Sequence, residues 1–264
     1  MMGTNPGVIV TTANDHALAR ELADQAGRRL LELRAGGGEP DMLRKAGDRQ
    51  SHEFLAAELA ARRPGDVLLS EEAADDQARL TADRVWIVDP LDGTREFGEP
   101  GRTDWAVHVA LWERAGGLTA GAVALPAQGR VLSTGAEIPS DHGGHPPGDH
   151  RVRIVVSRSR APRLVRDISD LIDAELVPLG SAGAKVAAVI SGAADAYLHG
   201  GGFYEWDTAA PVAVAWAAGF HASRIDGSPL RYNQADLLVP DILVCRPALA
   251  GTLLEAIREV TNAC

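Results

Sequence analysis

The sequence predicts a mixed chain with an α+β first half and an α/β second half. Three observations carry that expectation. Two long helical patterns open the chain, paired apolar runs joined by a glycine turn follow them, and strand-like and helix-like segments alternate after a Pro/Gly/His-rich break. With 264 residues, 45% hydrophobic and 23% charged, the chain is long enough for two packed subdomains with a sizeable core.

The elements follow in order. Leu18, Leu22, Ala26 and Leu30 recur at helical spacing, so a helix is expected over Asn14 to Leu33, ended by Gly36-Gly37-Gly38. A second helix is expected from Asp48 to Arg62, burying Phe54, Leu55 and Leu59, and Pro64-Gly65 closes it. Strands are expected at Val67-Leu68-Leu69 and at Val85-Trp86-Ile87-Val88, the latter stopped by Pro90. Trp105 to Trp112 and Leu118 to Leu125, joined by Ala115-Gly116-Gly117, read as an antiparallel hairpin. The stretch from Pro139 to His150 reads as a solvated linker, so the expected division is 1–138, linker 139–150, and 151–264. Beyond it, strands are expected at Arg153 to Val156, Ala194 to Leu198 and Ile242 to Cys245. Helices are expected at Arg163 to Ile172, Ala182 to Ile190, Asp207 to Ala218 and Ala248 to Val260. That alternation implies an α/β layer.

A formal net charge of −10 argues against a nucleic-acid polymer or an anionic membrane as partner. It would also repel a phosphate ester unless divalent cations intervene. Two cysteines, Cys245 and Cys264, make no disulfide framework. The N-terminal stretch has neither a basic flank nor a long apolar run, so no leader or membrane span is expected and a cytoplasmic location is.

The most informative stretch is Arg84 to Phe97. An apolar strand runs into Asp89, and Asp92-Gly93 turns sharply, so two carboxylates three residues apart emerge together at a strand end. Clustered anions are costly unless a cation lies between them, and oxygen donors suit a hard ion such as Mg²⁺. Gly93-Thr94 then opens a short helix whose free N–H groups can meet phosphate oxygens. Ser70-Glu71-Glu72 stands at another strand end, where a Glu pair alone reads equally as a solvated face. Asp207 follows Glu205-Trp206, where alone it reads as an ordinary helix cap.

Together, Glu71-Glu72, Asp89-Pro90-Leu91-Asp92-Gly93-Thr94 and Trp206-Asp207-Thr208-Ala209-Ala210 resemble the motif set of the inositol monophosphatase superfamily, which comprises Mg²⁺-dependent, Li⁺-sensitive phosphatases. The resemblance implies a layered αβαβα sugar-phosphatase fold with two or three Mg²⁺ per site. It further implies that Glu71, Asp89 and the Leu91 carbonyl hold one metal, that Asp89, Asp92 and Asp207 hold the second, and that Glu71 and Thr94 orient the attacking water. Asp48 would hydrogen-bond Thr94. The partner would be a small phosphorylated metabolite, and a homodimer is common in the family. The segment Glu39 to Gly47 is short for the hairpin usual there, so an abbreviated lid is expected.

Three features resemble the bisphosphate nucleotidase branch, which removes the 3'-phosphate of 3'-phosphoadenosine 5'-phosphate. Ser157, Arg158, Ser159 and Arg160 suit a second phosphate, although Arg160 stands where that branch often has His. Gly180, Ser181 and Lys185 open a helix whose amides can face phosphate or ribose. Phe203, Tyr204 and Trp206 include an aromatic able to stack on adenine. The bland readings are a surface arginine cluster, a helix cap with a solvated lysine, and core packing. Inositol-1-phosphate and fructose-1,6-bisphosphate hydrolysis by the same groups are the enzyme alternatives, and a non-catalytic scaffold is the alternative from another class.

Overall fold

The computed structural model describes residues 12–138, 151–158 and 162–262. The expected linker, Ser159 and Arg160 lie outside the described residues.

Helix α1 (Thr12–Ala35) buries Leu18, Leu22, Ala26 and Leu30 along one stripe, as the spacing predicts. Helix α2 (Pro40–Arg62) starts eight residues earlier than expected. The Glu39 carboxylate caps it by accepting from Asp41 N and Met42 N at 3.0 Å each, and Pro40 is pre-shaped for the first helical position. The segment read as an abbreviated lid is therefore the first two turns of this helix. Gly47 lies within α2 because a Cβ there would stand 2.9 Å from both Leu91 and Phe97. Its absence lets α2 press against the Asp89–Thr94 loop, and Asp48 is the next residue.

The first sheet runs β1 (Val67–Ser70), β2 (Arg84–Asp92), β3 (Ala106–Glu113), β4 (Gly117–Leu125) and β5 (Arg130–Ser133) in sequence order. β1 pairs parallel to β2 and the remaining pairs are antiparallel. Pro90 does not end β2. The ladder to β3 resumes at Asp92↔Ala106 after a register shift, and β1 ends opposite Val88, so the missing proline N–H leaves no partner unpaired on that side. A four-residue helix, α3 (Thr94–Phe97), follows β2.

The second half holds β6 (Arg153–Ser157), α4 (Arg163–Leu171), β7 (Glu175–Leu179), α5 (Ala182–Ile190), β8 (Ala196–His199), β9 (Phe203–Tyr204), α6 (Glu205–Ala217), β10 (His221–Ser223), β11 (Leu238–Val239), β12 (Ile242–Cys245) and α7 (Pro247–Asn262). Its sheet has the order β10-β12-β8-β6-β7, while β9 and β11 form a separate two-residue pair. β6, β7 and β8 are mutually parallel where they pair; β12 and β10 are antiparallel additions. The periodicity delimits neither the short β5 and β10 nor β7, whose Glu and Pro blur the apolar signal.

The layers are α1 and α2, the first sheet, α5 and α6, the second sheet, then α4 and α7. This is the αβαβα arrangement the resemblance implies. The middle helices are apolar nearly all round, as α5 shows with eight of its nine residues buried, because both faces meet a sheet. One apolar cluster joins Val85, Ile87 and Val123 to Val189, Val212 and Val244, so the two halves share a core.

Candidate metal centre

The site forms where β2, the start of α5 and the start of α6 converge. Asp89, Asp92 and Asp207 each place a carboxylate oxygen so that these ligand atoms lie within 4.8 Å of one another. Asp89 is 1% exposed, so its charge has almost no water around it. Its Oδ1 accepts from Leu91 N at 3.0 Å across the bulge. Burial, then the charges of Asp92, Glu71 and Asp207, push its carboxyl well above the usual range.

Asp92 has polar company. Its Oδ2 accepts from Ser181 Oγ at 2.5 Å and from Gly183 N at 2.8 Å, and His108 Nε2 stands 3.1 Å away. Burial opposes its ionisation, yet His108, Ser181 and the Gly183 amide together hold it below the ordinary carboxylate value. Asp207 is the third residue of α6 and accepts from Tyr204 N at 2.7 Å. Burial first, and Asp92 second, raise it to about 6.

Glu71, at the end of β1, stands against Asp89 rather than in the compact triad, and burial with the Asp207 charge pushes it up to about 7. The residue is nonetheless exposed to solvent. Thr94 Oγ1 lies 3.1 Å from Asp48 Oδ1 and 3.0 Å from Leu91 O, so its single proton is shared between two acceptors. Asp48 is raised to about 6 by burial and then by Glu72. Gly93 holds φ +85°, and a Cβ there would come within 3.2–3.3 Å of Ser181, Asp104 and Trp105.

The chemistry of this donor set fits a divalent cation. Buried carboxylates crowded this closely repel one another and raise one another's pKa, and a cation among them reverses that cost. The oxygens of Asp89, Asp92, Asp207, Glu71 and the Leu91 carbonyl are hard donors of the kind Mg²⁺ takes.

The residues expected at the substrate side divide. Of Gly180, Ser181 and Lys185, Ser181 contacts the triad directly, through Asp92. Ser181 caps α5 at φ +43° and bridges Asp92 Oδ2 to Ala184 N, while Gly180 N donates to Asp104 Oδ2 at 2.6 Å. Lys185 is 5% exposed, not solvated; its Nζ donates to Ser181 O at 3.0 Å and stands 5.3 Å from the Tyr197 ring centre. Burial lowers its pKa, against the pull of Asp92, Glu96, Asp104 and Asp207. Ser157 ends β6 and is half-buried. Arg158 spends its guanidinium on Glu96 and Glu99, with contacts of 2.7–3.1 Å.

Sequence reasoning missed His108, Ser51 and Asp104. His108 sits directly opposite Asp89 in the β2–β3 register and is fully buried, with Nδ1 3.2 Å from the Trp206 carbonyl. A carbonyl only accepts, so Nδ1 donates to it, and Nε2 must carry a hydrogen as well if it is to meet the Asp92 carboxylate favourably. The signal was a lone imidazole in the apolar run Trp105 to Trp112. Ser51 donates to Pro90 O at 2.7 Å and so pins the bulge to α2; nothing in its helical context marks it.

Residues 9–262 match the family profile described as Inositol monophosphatase family. A Mycobacterium leprae protein named 3'-phosphoadenosine 5'-phosphate phosphatase is 52% identical over 93% of this chain and 94% of its own length. The 3'(2'),5'-bisphosphate nucleotidase CysQ of Escherichia coli is 30% identical over 81% of this chain and 92% of its own. Among solved structures, CysQ from Bacteroides thetaiotaomicron superposes with a TM-score of 0.72 at 28% identity, covering 89% of this chain and 97% of that one.

Proposed function

The chain belongs to the inositol monophosphatase family, and from that premise we propose that it hydrolyses the 3'-phosphate of 3'-phosphoadenosine 5'-phosphate, yielding adenosine 5'-monophosphate and phosphate. The observation that carries the chemistry is the convergence of Asp89, Asp92 and Asp207 from two distant segments onto one point. The substrate rests on the 52% identity to a phosphatase of that name over nearly the full length.

In this reading the metal is Mg²⁺, two or three per site. Glu71, Asp89 and the Leu91 carbonyl would hold one ion, and Asp89, Asp92 and Asp207 would hold another. Bound there, the ions supply positive charge against the phosphoryl oxygens and acidify a water. The chain's own residues do the rest. Thr94 Oγ1 donates its hydrogen bond to Asp48 or to the Leu91 carbonyl, so it keeps a lone pair free to accept from the attacking water. Glu71, whose carboxyl titrates near neutrality before metal binds, stands on the open side to orient the same water. The Gly93 and Thr94 amides take phosphate oxygens, and Ser181 with the Gly183 amide fixes the rotamer of Asp92. Water attacks in line and no covalent enzyme intermediate is needed.

Ser157, Gly180, Ser181 and Lys185 form the substrate side, with Arg158 holding Glu96 and Glu99 in place behind it. Ser159 and Arg160 complete the proposed second-phosphate contacts. The division at 139–150, inhibition by Li⁺, a cytoplasmic location and a place in sulfate assimilation belong to the same proposal. Among the described residues no helix is long and apolar enough to cross a membrane.

The test is a panel of phosphoadenosine phosphate, inositol 1-phosphate and fructose 1,6-bisphosphate, with Mg²⁺ and with chelator. The expected result is Mg²⁺-dependent phosphate release with the highest kcat/KM on the nucleotide. A higher kcat/KM on inositol phosphate overturns the substrate assignment, and release that survives complete metal removal overturns the mechanism.

A further inference from the structure

We propose that the solvent-facing side of the Tyr204 ring is the platform on which the base of the substrate stacks, making Tyr204 a specificity-determining residue of the site. The inference rests on the nucleotidase reading above and adds to it a recognition element for the part of the substrate that carries no charge.

Tyr204 is tied to the metal centre through its own backbone, since its N–H donates to Asp207 Oδ2 at 2.7 Å. Three residues of helix rise, about 4.5 Å, separate the Tyr204 and Asp207 backbone positions along the axis. Its ring stacks on Trp206, with centroids 4.7 Å apart and planes 11° from parallel. One face is thus covered by an indole that is itself 9% exposed, yet Tyr204 remains 48% exposed. Pairing of β9 with β11 holds the backbone and sets Leu238, 50% exposed, directly across from Tyr204. A ring already backed and anchored loses little freedom when a flat ligand covers its other face.

The other aromatics near Asp207 are spoken for. Phe203 has His199 at 4.2 Å and Tyr197 at 6.5 Å between ring centres. Tyr197 is fully buried. Trp216 is 40% exposed, but its indole bonds Ala222 O and it lies nine residues, about 13.5 Å, further along α6 than Asp207. Among the described residues, Tyr204 is therefore the aromatic that combines an open face with attachment to the triad. Gly200, Gly201 and Gly202, immediately before β9, add no side chains beside it.

Stacking rewards any flat heteroaromatic and gives far less to a cyclitol or an open-chain sugar phosphate. The platform would separate a nucleotide from other phosphate esters that the same metal centre can hydrolyse.

The experiment compares wild type, Tyr204→Ala and Tyr204→Phe in Mg²⁺ buffer on phosphoadenosine phosphate and on the base-free ester inositol 1-phosphate. The readout is the ratio of the two kcat/KM values, with calorimetric affinity for adenosine 5'-monophosphate as a second measure. Tyr204→Ala is expected to lower the ratio about ten-fold, through KM for the nucleotide, and to weaken monophosphate binding by a similar factor; Tyr204→Phe restores both. An Ala variant that keeps the wild-type ratio and affinity overturns the platform. A wild-type ratio at or below one overturns the nucleotidase reading itself, so the two failures are told apart within one data set.

Discussion

Asp207 sits in the first turn of α6, where the helix dipole favours a carboxylate, yet it faces Asp92 across the site and is raised to about 6. At neutral pH its charge therefore costs stability until a cation arrives. Asp207→Asn keeps an oxygen to accept from Tyr204 N and removes the charge. The metal-free variant is expected to gain about 1–2 kcal/mol after discount for partial exposure, or roughly 2–8 °C in Tm. It should also lose the Tm increase that Mg²⁺ gives wild type, together with activity; an unchanged Mg²⁺ shift would remove Asp207 from the metal centre. A second residue pair contributes to the acid limb. The Arg158 hydrogen bonds hold Glu99 down to about 2 from an ordinary 4.5. A depressed carboxyl contributes stability present above its unfolded value and lost as pH falls toward the folded one. Stability should thus decline between pH 4.5 and 2 through this pair. Glu99→Gln should flatten that part of the Tm–pH curve, and an identical acid slope would show the pair to be uncoupled from folding.

At the scale of elements, the site depends on places where regular structure gives way. β2 bulges between Asp89 and Asp92, Gly93 turns into the left-handed region, and Ser181 takes a positive φ to cap α5. Each departure points a functional oxygen inward. Gly93→Ala meets both a disfavoured φ and contacts of 3.2–3.3 Å. It is expected to cost about 2 kcal/mol, near 4–8 °C in Tm, and to lower kcat by moving Thr94 and Asp92. A variant with wild-type Tm would show that the loop relaxes freely. The acidic motifs and the Asp-Gly turn were legible because carboxylates at strand ends are chemically conspicuous. The bulge was not, since Pro90 reads as a terminator wherever the neighbouring strand's length is unknown. The start of α2 was misplaced because Glu39 is an uncommon cap and Gly47 is an uncommon interior residue. Only contact with Leu91 and Phe97 explains the glycine.

Across the whole molecule, the arm that follows Glu71 is bolted to the segment beside α6. Arg79, fully buried, pairs with Asp75 and donates to Asn233 Oδ1 and Gln234 O, while Glu205 accepts from Asn233 N and Gln234 N at 2.7 Å each. This network spans more than 150 residues of chain. Arg79→Ala leaves buried acceptors unpaired and is expected to cost on the order of 3 kcal/mol, read by chemical denaturation; a loss below about 0.5 kcal/mol would mean the halves hold together without it. The sequence by itself determined most element types and the acidic set, because periodicity and strand-end carboxylates are local properties of the chain, and the layered fold was legible through the resemblance its motifs carry. The tertiary structure alone decided which groups reach that set and which do not. His108 and Ser181 reach Asp92, Lys185 turns inward to a carbonyl, and Arg158 is consumed by two glutamates, since a side chain's electrostatic partner is chosen by the packing of distant segments and leaves no mark at its own position.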